Sequence, residues 1–191
     1  WIGADLKLVV LPEYILTSFP SRESIPEWLD KAGLTIDGPE YTALAALAQR
    51  NAVFLAGSSY EADPKFPGIF FQCAWVIDPT GKTVLRYRRL ISTFVPSPVD
   101  VWDAYLDAYG IDGVFPVART DIGNLAAIAS EEILYPEIAR CHAVRGAELF
   151  LHSSSEAYTA TMTPKRIGRL ARAVENLTWV VSANTAGIDN I

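Results

Sequence analysis

The stretch Asn124-Leu-Ala-Ala-Ile-Ala-Ser130-Glu-Glu-Ile-Leu-Tyr-Pro136-Glu-Ile-Ala-Arg140 decides how this chain is read. Its first half is a short apolar run, as expected of a strand buried on both faces. Its second half opens a helix at Pro136, which has no N–H to lose in a first turn. Between them lies the polar elbow Ser130-Glu131-Glu132. A side chain at a strand end, just ahead of a helix, is well placed to meet a ligand.

The same alternation extends in both directions. Leu6-Lys-Leu-Val-Val-Leu-Pro12 is a near-continuous apolar run and predicts another strand buried on both faces, broken at Pro12-Glu13-Tyr14. Residues 17–40 are rich in Pro, Ser and Gly and read as loop with a short helix over 25–32. Pro39 starts a helix ending near Asn51, and 53–58 is a strand. Residues 69–77 and 82–88 form a hairpin around the turn Asp78-Pro-Thr-Gly81. The aromatic and acidic stretch 92–109 reads as a long loop with some helix, in which Trp102 and Tyr105 either wall a pocket or pack on the core. A helix over 136–145, a strand over 149–151, a helix capped by Thr163-Pro164 and running to Asn176, and a strand over 178–183 complete the order. Strands and helices alternate with one inserted hairpin, so the prediction is a layered α/β architecture in a single domain over residues 1–191.

Composition excludes several function classes. Half of the 191 residues are hydrophobic and a fifth are charged, so the chain is globular. The net charge of −6 and the absence of any basic run argue against nucleic-acid binding. No apolar run reaches the roughly 20 residues that span a bilayer. Cys73 and Cys141 have no zinc-ligand spacing and read as reduced thiols of a cytoplasmic protein. With only His142 and His152 as imidazoles, neither a metal site nor a cofactor is expected. The chain opens at Trp1 without a methionine, which reads as the interior of a longer sequence.

Three strand ends place a polar residue after an apolar run: Glu13, Arg89 and Ser130. Four segments, in order, resemble the nitrilase, or carbon–nitrogen hydrolase, superfamily. Leu11-Pro12-Glu13 is similar to the segment holding the family's catalytic glutamate. Asp78-Pro-Thr-Gly81 followed by Arg86-Tyr87-Arg88-Arg89 resembles its hairpin ending in Tyr-Arg-Lys. Ser130-Glu-Glu-Ile-Leu-Tyr-Pro136-Glu137 resembles its Cys-x-Asp-x-x-x-Pro-Glu segment. Ala171-Arg-Ala-Val-Glu175-Asn176 with Val180-Val-Ser-Ala-Asn184 resembles its later helix and strand. The paired acids after Ser130 and the Thr-Ala-Gly-Ile-Asp run at 185–189 lean toward the aliphatic amidase and formamidase branch.

The resemblance implies the αββα sandwich of that family, here without its first strand and its C-terminal part, and a homodimer or larger homo-oligomer joined through a helical face. It implies Glu13 as general base, Arg89 at the family's lysine position and Ser130 at its cysteine position. Glu131, Glu132, Ser153 and Asn184 are assigned to the ligand pocket, for a small amide- or carboxylate-like molecule.

Two of the three triad positions are changed, and the changes carry chemical consequences. A thiol with a pKa of about 8.5 is readily made a thiolate, whereas a serine hydroxyl needs an adjacent base. Glu13 is that base by position; a pairing of His152 with a serine is the weaker alternative, and mid-strand Cys73 is a poor substitute nucleophile. Arg89 keeps a positive charge but is forked and never deprotonated, so a clasp on the Glu13 carboxylate is expected. Two readings follow: a weak or non-catalytic ligand-binding member of the family, and an active amide hydrolase using Ser130 as nucleophile, Glu13 as general base and Arg89 as the charge partner that stabilises the oxyanion.

Overall fold

The computed structural model describes residues 5–157 and 159–185. Its strands form two four-stranded sheets. The first holds β1 (Leu8–Val10), β2 (Phe54–Ala62), β3 (Phe70–Ile77) and β4 (Thr83–Arg88) in the order β1-β2-β3-β4. Here β1 lies parallel to β2, while β2, β3 and β4 are antiparallel. The second holds β5 (Ala118–Thr120), β6 (Gly123–Ala129), β7 (Leu149–Ser154) and β8 (Trp179–Asn184) in the order β5-β6-β7-β8. After the β5–β6 hairpin the remaining pairs are parallel, joined by α4 (Pro136–Val144) and α5 (Pro164–Asn176).

Strand parity builds the layers, because successive side chains point to opposite faces. Phe54 and Ala56 of β2, Ala74 and Val76 of β3, and Leu85 and Tyr87 of β4 face Leu125, Ala127 and Ala129 of β6 in one core between the sheets. The alternate residues Leu55, Trp75 and Ile77 face outward and are covered by Tyr41, Leu44 and Ala48 of α2 (Pro39–Asn51). On the far side, Ala126, Ile128 and Phe150 are covered by Ala139 of α4. Trp28 and Ala32 of α1 (Ile25–Ala32) close the end of the first sheet on Tyr60 and Phe70. The molecule is an αββα sandwich, as the resemblance implies.

Two strand assignments are corrected, and for one reason. The strand read as ending at residue 58 continues to Ala62, and the one read as ending at 151 continues to Ser154. Their polar ends are buried because partners satisfy them: Tyr41 and Trp75 bond Ser59, and two arginines bond Glu61. A further correction concerns β1. It is half-buried rather than enclosed on both faces, and among the described residues it pairs with β2 alone, at the sheet edge. In the aromatic and acidic stretch, a 3₁₀ turn over Pro98–Val101 leads into α3 (Trp102–Val114), which is broken at Gly110. Tyr105 packs into the core among Phe66, Phe71 and Tyr109, while Trp102 remains partly exposed.

Candidate active site

The chain leaves β1 through Leu11 and Pro12 and delivers Glu13 to the carboxyl ends of β6, β7 and β8. Three contacts hold it there. Ser153 at the end of β7 donates its hydroxyl to the Leu11 carbonyl at 2.8 Å. Thr185, just past β8, donates its hydroxyl to the Glu13 carbonyl and its N–H to the Ser154 carbonyl. The Glu13 side chain is fully buried.

Ser130 stands at the end of β6 with φ = 46°, a left-handed conformation that costs a residue with a Cβ roughly 1–3 kcal/mol. Its carbonyl faces His152 Nε2 at 2.9 Å, and His152 Nδ1 lies 2.8 Å from Ser182 Oγ. A carbonyl only accepts, so Nε2 carries the proton and Nδ1 accepts from the serine. Burial pushes the His152 pKa down to about 4, so the ring is neutral at pH 7. His152 therefore holds the Ser130 backbone rather than its hydroxyl, and the serine whose hydroxyl it pairs with is Ser182.

The Ser130 hydroxyl donates to Glu13 Oε2 at 2.7 Å. The other carboxylate oxygen of Glu13 accepts from the Gln72 side-chain amide. Desolvation raises the Glu13 pKa above the ordinary carboxylate value, although the hydrogen bonds from Ser130 and Gln72 pull it down. A buried carboxylate of raised pKa beside a hydroxyl is the pairing that general-base catalysis uses.

Arg89 is the main correction. It does not clasp Glu13. Gln72 stands between them, giving its N–H to Glu13 and its oxygen to Arg89 Nη1 at 2.9 Å. Arg89 also donates from Nε to the Ile91 carbonyl at 2.7 Å and from Nη2 to Glu131 at 2.9 Å. The forked head serves three acceptors, and a neutral amide is one of them. Gln72, on β3, is thus part of the site.

The remaining pocket residues separate. Glu131 lies beside Ser130 and accepts from both Arg89 and Lys165, the latter at 2.6 Å. Burial would raise its pKa, but Lys165 and then Arg89 outweigh this and hold it at about 2. Glu132 is fully buried, with both oxygens occupied by the Tyr87 hydroxyl and the Leu90, Ile91 and Ala129 N–H groups. It ties the elbow to the end of β4. Asn184 is exposed and donates to the Glu156 and Thr185 carbonyls. Of the run at 185–189, residues 186–189 lie outside the described residues.

One residue of the site had escaped the sequence reading. Lys165, in the first turn of α5, places Nζ 3.2 Å from Ser130 Oγ.

The family model described as carbon-nitrogen hydrolase matches residues 3–191. The chain belongs to the carbon–nitrogen hydrolase family. It is similar to a formamidase of Bacillus thuringiensis (strain Al Hakam), with 29% identity over 188 residues, 97% of this chain and 52% of that protein. A formamidase of Bacillus anthracis matches to the same extent. The chain thus spans about half the length of the curated relatives it matches. Among solved structures, a nitrilase-superfamily member of Saccharomyces cerevisiae superposes with a TM-score of 0.70 at 22% identity, covering 97% of this chain and 65% of that one. An amidase from Nesterenkonia sp. gives 0.67 at 24% identity, covering 95% and 64%. These structures share the fold.

Proposed function

We propose that this family member binds short non-peptide amides and hydrolyses them slowly through Ser130. The observation that carries the reading is the 2.7 Å hydrogen bond from the Ser130 hydroxyl to buried Glu13. In the proposed reaction the Ser130 proton passes to the Glu13 carboxylate as Oγ bonds the amide carbon. The C=O electron pair moves onto oxygen, and its return expels ammonia, which takes the proton from Glu13. Water, deprotonated by Glu13, then adds to the ester carbon, the carboxylic acid departs as the bond to Oγ breaks, and Glu13 returns the proton to Ser130. An alkoxide is harder to form than a thiolate, so turnover is expected to be slow beside that of a cysteine enzyme. The substrate class follows the formamidases this chain resembles and the Nesterenkonia amidase, of which a variant with a cysteine replaced by alanine was solved with butyramide.

A second reading, ligand binding without turnover, is favoured by the placement of Arg89, which at the family's lysine position bonds Ile91, Gln72 and Glu131 and neither Ser130 nor Glu13. The test is ammonia release from a panel of short amides by the parent, by Ser130→Ala, and by Ser130→Cys combined with Arg89→Lys. Activity in the parent that disappears in Ser130→Ala supports the first reading. No activity in the parent with gain in the double variant supports the second.

We further propose a cytoplasmic homo-oligomer with neither metal nor cofactor. The two free thiols Cys73 and Cys141 support the compartment, and no helix among the described residues is long and apolar enough to cross a membrane. Ile167, Leu170 and Val174 of α5 are more than half exposed, at 55%, 61% and 75%, which supports a covered helical face. The acidic net charge of −6 supports the exclusion of nucleic acid.

A further inference from the structure

We propose that Lys165 is the cationic partner of the Ser130 nucleophile, taking the role that the sequence reading gives to Arg89. The proposal rests on the amide-hydrolase reading above and names a further catalytic residue for it.

The position of Lys165 is built, not incidental. Its Nζ lies 3.2 Å from Ser130 Oγ, 2.6 Å from Glu131 Oε1 and 2.9 Å from the Ser155 carbonyl. Only 8% of the residue is exposed. The approach of α5 to the elbow depends on Gly168, one turn further along. A Cβ there would stand 2.9 Å from the Ile133 carbonyl. A larger residue would push the helix, and Lys165 with it, away from Ser130.

Lys165 also runs against the local preference of its helix. The first turn of a helix carries a partial positive charge and favours acidic side chains. Here the first turn of α5 has no acidic residue and carries Lys165 instead. Glu131, from the elbow, supplies the compensating charge. A cation held in an unfavourable position and aimed at a buried hydroxyl has the marks of a site residue.

Arg89 is excluded from the same role by its own partners. Three of its five N–H groups go to Ile91, Gln72 and Glu131, and none goes to Ser130 or Glu13. Glu131 joins the two cations, one on each oxygen. Arg89 thereby holds Glu131, Glu131 holds Lys165, and Lys165 meets the reacting oxygen. When the Ser130 proton moves to Glu13, negative charge develops on Oγ beside the Lys165 ammonium. Lys165 exchanges no proton in this step, so the proton balance of the reaction is unchanged.

The test reads charge at position 130 without needing turnover. Ser130→Cys is made together with Cys141→Ser, and its thiolate is titrated by ultraviolet absorbance. Burial holds the Cys73 thiol far above the range titrated. Adding Lys165→Met is expected to raise the pKa of the introduced thiol by about one unit or more. Lys165→Arg should keep it low, and Arg89→Met should move it much less. Should Lys165→Met fail to fold, Lys165→Gln gives the same reading. An introduced thiol indifferent to Lys165, or one governed by Arg89, would overturn the proposal. Absent ammonia release with a Lys165-dependent thiol would instead reject the hydrolase reading and leave the charge partnership standing.

Discussion

Glu13 and Glu61 are both fully withdrawn from solvent, yet the protein drives them in opposite directions. Glu61, on β2, is bound by the guanidinium groups of Arg86 and Arg88, and Arg88 also pairs with Asp63. Tyr109 donates to Asp63, and Arg88 lies against the faces of Phe71, Tyr105 and Tyr109. Desolvation would raise the Glu61 pKa, but the two arginines overcome it and lower the value. Glu13 has neutral neighbours first, Ser130 and Gln72, and the Lys165 charge acts on it only weakly, so desolvation wins. The difference teaches how to tell a clamp from a site. Glu61, matched by cations, is held ionised, whereas Glu13, matched by a hydroxyl and an amide, retains a proton affinity that chemistry can use.

Breaking the clamp should have the largest effect. Arg88→Met leaves Glu61 and Asp63 short of a buried partner and is expected to cost about 3–5 kcal/mol in urea unfolding. A loss no greater than that of an exposed ion pair would show that the cluster is not the anchor described.

Glu13→Gln sharpens the contrast with a smaller effect of opposite sign. The folded pKa of Glu13 lies above its unfolded value, so its contribution to stability is present at low pH and lost as pH rises through the folded value. At neutral pH the Glu13→Gln variant is therefore expected to be more stable than the parent and to lose less stability on going from acid to neutral. Amide hydrolysis, if measured in parallel, should fall by roughly 10²–10⁴. In the parent the acid limb of the rate should lie above the ordinary carboxylate value of 4.5. Lower stability of the variant at neutral pH would contradict the account.

What could be read from sequence follows the range of the signals. The helices at 25–32 and 39–51 and the one after Thr163-Pro164 were legible because proline and capping residues mark them locally. The ends of β2 and β7 were not, because Ser59, Glu61 and His152 are polar residues buried by distant partners. The three residues of β5 are too few to show a period. Helix α3 was obscured by its mixed aromatic and acidic face and by Gly110, whose φ of 63° interrupts it. At the site, Glu13 and Ser130 were visible as polar residues ending apolar runs. Lys165 was not, since it lies 35 residues from Ser130 and reaches it only through the packing of α5. Its signal was a lysine in a first helical turn, against the dipole.

The most direct measurement is to treat the 191-residue chain with a short activated acyl ester, quench in acid, and map the acylated residue by peptide mass spectrometry. The account predicts an acyl group on Ser130 in the parent, absent from Ser130→Ala and strongly reduced in Glu13→Gln. An adduct located on Lys165 or Cys141, or none at Ser130, would contradict it.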